Sequence, residues 1–126
     1  VNATPFIAIV DDDAAVRHAI GRLVRAFGMA VELYADGPAL LQSSSIDRID
    51  CVITDVQMPG MNGFALCEAL RARGLRVPVI FMTAFDLQDF ALRARAAGAA
   101  CFLGKPFDET EMLRCIERAL ATHRSS

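Results

Sequence analysis

The sequence predicts an α/β domain in which a parallel sheet is covered by helices on both faces. Short apolar runs alternate five times with segments of helical period, and no run is followed directly by another. Apart from the second, which Glu32 interrupts, the runs are apolar at consecutive positions, the pattern of strands buried on both faces. Four of them end on residues that can bind or accept a phosphoryl group: Asp11 and Asp12, Asp55, Thr83 and, one glycine further on, Lys105. In open α/β sheets ligands bind outside the carboxyl ends of the strands. One sheet edge should therefore gather three acids, a hydroxyl and an ammonium.

The first strand is expected over residues 6–10, followed by a helix whose inward positions Val16, Ile20, Leu23, Val24 and Phe27 keep the 3.6-residue period and which Gly28 closes. Residues 30–34 read as strand two. Asp36, Gly37 and Pro38 signal the start of a short helix through Leu40 and Leu41 that ends at the serines 43–45. Strand three covers 51–54 and runs into the turn-rich stretch 57–63, where Gly60 and Gly63 allow backbone angles other residues resist. A third helix carries Phe64, Cys67 and Leu70 toward Gly74. Strand four is 77–82, helix four 87–97, strand five 100–103, and helix five 109–121 with Met112, Leu113, Ile116 and Leu120 inward. Parallel neighbours need crossovers, which are right-handed and normally helical.

At 126 residues the chain fits one domain over 1–126, with a core over about 5–121 and residues 122–126 as a polar tail or the start of a linker. A formal charge of −2 and a pI near 5.6 give no global basic footprint for nucleic acid or an anionic membrane. The first apolar run stops at three aspartates, too short for a signal peptide core or a membrane span, so a cytoplasmic protein is expected. Cys51 and Cys101 fall in strands and Cys67 and Cys115 in helices, without a C-x-x-C pair or a histidine cluster. Reduced, mostly buried thiols are the expectation, and no zinc site.

Two carboxylates about 4 Å apart repel by roughly 4 kcal/mol at an effective dielectric near 20, so the acids require a positive partner. Mg²⁺ fits, because it prefers oxygen ligands, keeps waters and accepts one or two carboxylates beside a phosphoryl oxygen. Asp12 and Asp55 are assigned as direct ligands, Asp11 through water and Gln57 through its main-chain carbonyl. Lys105 offers a point charge to Asp55 at rest and to a phosphoryl oxygen afterwards, and the Thr83 hydroxyl can donate to another. Together these residues suit phosphoryl transfer to a carboxylate, with Asp55 as the in-line nucleophile. Asp13, the third acid, reads as a helix N-cap rather than a ligand. His18 and His123 read as surface residues.

Four segments in order, Ile9-Val10-Asp11-Asp12-Asp13, Ile53-Thr54-Asp55-Val56-Gln57-Met58-Pro59-Gly60-Met61-Asn62-Gly63, Phe81-Met82-Thr83-Ala84 and Gly104-Lys105-Pro106-Phe107, closely resemble the receiver domain of two-component response regulators. Within that family the chain looks most like receivers of the FixJ type, whose usual output is a helix-turn-helix DNA-binding domain. The resemblance implies a flavodoxin-like (βα)5 fold of strand order 2-1-3-4-5. It also implies Mg²⁺-dependent phosphorylation of Asp55 by a sensor histidine kinase, with Mn²⁺ as a substitute metal, and a cis bond between Lys105 and Pro106. A switch is implied as well: the Thr83 hydroxyl moves to the phosphate and Phe102 turns inward. That repacks the surface of helix four, strand five and helix five, through which such receivers form phosphorylation-dependent homodimers. Helix four carries Arg93 and Arg95, which are compatible with such a surface.

Phe102 replaces the tyrosine many receivers carry, so a packing switch is expected without a phenolic contact. Gln57 and Phe85 occupy positions that tune access of hydrolytic water, and a bulky Phe85 would shield the acyl phosphate. An aspartate-nucleophile phosphatase would typically need a second aspartate where Gln57 stands, which argues against fast turnover. The expected activity is promotion of the protein's own phosphorylation and slow dephosphorylation. A nucleotide- or flavin-binding module would need glycines or hydroxyls where Asp11, Asp12 and Asp13 stand. DNA would be reached only through an output domain outside this sequence.

Overall fold

Five parallel strands, β1 (Phe6–Val10), β2 (Ala30–Tyr34), β3 (Cys51–Asp55), β4 (Val79–Thr83) and β5 (Cys101–Gly104), form one sheet in the order β2-β1-β3-β4-β5. The computed structural model describes residues 4–84 and 87–125. Between and after the strands come α1 (Ala14–Ala26), α2 (Gly37–Leu41), α3 (Gly63–Ala72), α4 (Leu87–Ala96) and α5 (Glu109–Ser125). This is the doubly wound, flavodoxin-like order expected from the sequence.

Alternation along each strand divides the core in two. Ile7, Ile9, Ile53, Ile80, Met82 and Leu103 pack with Ile20 and Val24 of α1 and Met112 and Ile116 of α5. Ala8, Val10, Val52, Val79 and Phe81 face the other way, against Leu40 of α2, Phe64, Leu66 and Leu70 of α3 and Ala94 of α4. β3 and β4 are buried along their whole length, which is why they are apolar up to their polar ends at Thr54, Asp55 and Thr83.

Caps fix where the helices begin. The Asp13 carboxylate accepts from the amides of Ala15 and Val16 at 2.9 and 3.2 Å, Asp36 from Ala39 at 2.8 Å, and Asn62 from Ala65 at 2.8 Å. Asp13 is thus the N-cap its position suggested.

The differences from expectation have physical causes. β4 begins at Val79 rather than at Val77, since Pro78 has no N–H for the ladder. β3 and β5 each extend one residue further, to Asp55 and Gly104, because register partners exist at Met82 and Thr83. α5 runs past the expected 121 to Ser125, with Thr122 Oγ1 donating to the Arg118 carbonyl at 3.1 Å and His123 Nε2 at 3.9 Å from Asp50 Oδ1. A 3₁₀ turn at Ile46–Arg48 was not anticipated. Gly60 has φ +76°, as its turn requires, whereas the φ of Gly63 is not in the left-handed region and its role is steric.

The thiol expectation is corrected at two of the four cysteines. Cys101 of β5 and Cys115 of α5 form a disulfide with Cα atoms 5.6 Å apart. Fourteen residues separate them in sequence, so only the packing of α5 on β5 reveals the pair. Cys51 and Cys67 are free and buried, as expected. Among the described residues no helix is long and apolar enough to cross a membrane.

Candidate functional site

The strand register decides which side chains meet. Val10 lies opposite Thr54, Asp55 opposite Met82, and Thr83 opposite Gly104, so β1, β3, β4 and β5 end at one edge. Just beyond Val10 the buried Asp11 and the exposed Asp12 enter the loop to α1. One carboxylate oxygen from each of Asp11, Asp12 and Asp55 lies within 4.8 Å of the others.

Asp11 is held on both oxygens. Its Oδ1 accepts from the Asp13 amide at 2.9 Å and its Oδ2 from Lys105 Nζ at 3.3 Å, while Arg17 Nη1 donates to its main-chain carbonyl at 2.7 Å. Asp55, 8% exposed, accepts from the Gln57 amide on Oδ1 at 3.2 Å and from Lys105 on Oδ2 at 3.3 Å. Lys105 therefore bridges the carboxylate at the end of β3 and the one just past the end of β1. Its own backbone is anchored by donation from its amide to the Thr83 carbonyl at 2.6 Å, and the Lys105–Pro106 bond is cis. Thr83 is fully buried.

Burial pushes the Asp55 carboxyl above its ordinary value. The Lys105 ammonium and the Gln57 amide oppose that rise, and the Asp11 charge adds to it. Three carboxylates meet one directly paired ammonium at this edge, with the Arg17 guanidinium on the Asp11 main-chain carbonyl. All the donors are hard oxygens, two on fixed strand ends and one exposed. This set fits Mg²⁺, which takes few protein ligands and keeps its waters.

Asp11, Asp12, Asp55, Thr83 and Lys105 thus all stand at one edge. Gln57 is exposed in the loop after β3. Phe102 is partly buried in the core half that contains Phe64 and Phe81, away from α5. Phe85 lies outside the described residues. Two supporting residues escaped the sequence reading. Arg17 holds the Asp11 carbonyl from α1, and only its place in the first turn after the acids hints at that. Gly63 begins α3 directly against the Asp55 backbone, and a glycine opening a helix was the available signal.

Known proteins resemble this chain in sequence and fold. A family model described as the response regulator receiver domain matches residues 7–117. The transcriptional regulatory protein FixJ of Azorhizobium caulinodans is 37% identical over 115 residues, covering 90% of this chain and 54% of that protein. The response regulator protein TodT of Pseudomonas putida is 38% identical over 114 residues, covering 90% of this chain and 50% of its own length. The chain therefore spans about half the length of these two relatives. Among solved structures, that of FixJ-N matches with a TM-score of 0.86 and 30% identity over 95% of this chain and 96% of that one.

Proposed function

Because this chain belongs to the response regulator receiver domain family, we propose that Asp55 accepts a phosphoryl group from the phosphohistidine of a sensor histidine kinase. The observation that carries this reading is the Asp55 carboxylate held 3.3 Å from the Lys105 ammonium inside the cluster with Asp11 and Asp12. Asp55 attacks phosphorus in line, the P–N bond breaks, and the imidazole leaves with the bonding pair. An acyl phosphate on Asp55 results. Lys105 exchanges its contact with Asp55 Oδ2 for a phosphoryl oxygen, and the Thr83 hydroxyl donates to another. Asp12, Asp55 and the Gln57 carbonyl, with Asp11 through water, would hold Mg²⁺, or Mn²⁺ in its place, and the ion would neutralise phosphoryl charge there.

The gain in phosphoryl contacts draws Thr83 toward the site and lets Phe102 turn into the space it leaves. The surface of α4, β5 and α5 then repacks and forms a homodimer. Leu92 on α4 is 75% exposed, and Arg93 and Arg95 beside it are exposed, which supports a contact surface there. The protein works in the cytoplasm, and it controls transcription through a DNA-binding output domain outside this sequence.

The test is incubation with Mg²⁺ and acetyl phosphate, followed by intact mass. One phosphoryl group is expected on the wild type and none on Asp55→Asn. An adduct that persists in Asp55→Asn overturns the assignment.

A further inference from the structure

The Cys101–Cys115 pair stands outside the phosphoryl site, and the proposed phosphotransfer chemistry does not use it. We infer that it is a reversible thiol–disulfide modification site whose oxidised form ties β5 to α5 and restrains the surface that phosphorylation repacks. The part concerning phosphorylation rests on the reading of Asp55 given above.

Geometry supports the site first. The Cα atoms are 5.6 Å apart, within the range a disulfide spans without backbone movement. Cys101 is half-buried and reachable from solvent, whereas Cys115 is 5% exposed. The other two thiols do not compete: Cys51 is enclosed in β3, where burial pushes its thiol up to about 12, and Cys67 is buried in α3 with its thiol also raised by burial and donating to the Ala97 carbonyl. Thiolate is the reacting form, so the accessible Cys101 reacts first.

The core around the bond is apolar and extensive. Leu103 on β5 and Met112, Ile116 and Ala119 on α5 are buried in one apolar cluster around it, and a chain of this size has core enough without a staple. In a reducing compartment a disulfide that the fold does not need is a transient one.

The chemistry balances with a low-molecular-weight disulfide as oxidant. The Cys101 thiolate attacks one sulfur of glutathione disulfide, the reagent's S–S bond breaks, and one glutathione leaves as the thiol with a proton. The Cys115 thiolate then attacks Cys101 Sγ, forms the internal bond and expels the second glutathione. Two protein thiols lose two electrons, and one small disulfide becomes two thiols.

Alternation along β5 gives the bond its consequence. Cys101 faces α5, while its neighbour Phe102 faces the half of the core that holds α3 and α4. Oxidation therefore fixes one side of the strand while the other carries the aromatic ring of the switch. Lys105, past the opposite end of β5, is untouched, so phosphorylation itself should proceed in both redox states.

The experiment equilibrates the folded protein in glutathione buffers, traps thiols by alkylation and reads intact mass. The internal disulfide is expected in wild type. In Cys115→Ser a glutathionyl group should remain on Cys101, and in Cys101→Ser neither species should form. Failure of the wild type to oxidise while folded, or oxidation that survives in Cys101→Ser, overturns the site. Hydrogen exchange of α5 is then compared in the two redox states, before and after acetyl phosphate treatment. Oxidation should slow α5 exchange at least about fivefold, the lower end of typical coupling between sites, and blunt any change on phosphorylation. Equal α5 exchange in both redox states overturns the restraint. Intact mass reports separately whether a phosphoryl group was taken up, so a failure of Asp55 phosphorylation is recognised independently of the thiols.

Discussion

Gly63, the first residue of α3, lies so close to Asp55 that a Cβ built on it would stand 2.6 Å from the Asp55 carbonyl oxygen and 3.1 Å from Val56 Cα. Both neighbours are backbone, so neither can rotate away. The Gly63 amide also donates to the Val56 carbonyl at 3.0 Å, which locks the helix start beneath the end of β3. Gly63→Ala should therefore cost about 1–3 kcal/mol, the usual range for forced overpacking. Urea denaturation measures that loss. Because the strand end carrying Asp55 must shift, phosphorylation by acetyl phosphate should slow about tenfold or more. A variant with wild-type stability and rate would show that the contact relaxes freely.

Asp55 sets a pH dependence whose sign follows from its environment. Burial raises its pKa in the folded protein above the ordinary 3.8. A raised carboxylate contributes stability that is fully present below the unfolded pKa and is lost as pH rises through the folded value. The metal-free wild type should thus lose stability relative to Asp55→Asn as pH climbs from about 3.8, with the difference levelling off above the folded pKa. Thermal melts of both proteins in chelator across that window test it. Mg²⁺ should reverse the ranking, since saturation at 100 times Kd stabilises the binding form by about 2.7 kcal/mol. Identical pH profiles for the two proteins would remove Asp55 from the account.

The sequence was informative wherever burial on both sides of a strand left no choice of residue. Cys51 to Ile53 and Val79 to Met82 are apolar because helices cover both faces of β3 and β4, so these strands and the residues that follow them could be placed. Asp11, Asp55, Thr83 and Lys105 could be placed for the same reason, each standing at or just past the carboxyl end of a strand. What escaped depends on distance across the fold. Cys101 and Cys115 have no sequence signature as a pair, Gly63 looks like any turn glycine, and the end of α5 brings His123 within 3.9 Å of Asp50, far off in sequence.

On the proposed mechanism, Lys105 should have opposite effects on metal binding and on phosphoryl transfer. Its ammonium is 3.3 Å from carboxylate oxygens of both Asp11 and Asp55, where it repels a cation sharing those ligands. Lys105→Ala should tighten Mg²⁺ binding about tenfold, equivalent to about 1.4 kcal/mol. The same substitution should slow phosphorylation strongly, because a cationic partner for the transferred group is lost. Titration calorimetry and intact mass read the two effects separately. Weaker Mg²⁺ binding in the variant would mean that Lys105 organises the acids rather than competing for them.

Asp12 and Asp13 are adjacent, exposed and chemically alike, yet only one belongs to the acidic cluster. Asp12 offers an oxygen to the group with Asp11 and Asp55, whereas Asp13 caps α1 through the amides of Ala15 and Val16. Removing a cap costs about 1 kcal/mol of stability. Asp13→Ala should lose that amount, read by urea denaturation, and keep its Mg²⁺ affinity within about twofold, a difference below 0.5 kcal/mol. Asp12→Ala should do the reverse, weakening Mg²⁺ binding at least about tenfold with little loss of metal-free stability, because removing one of three crowded carboxylates relieves repulsion. If both variants lost metal affinity equally, Asp13 would be a ligand whose cap bonds give way when the ion binds.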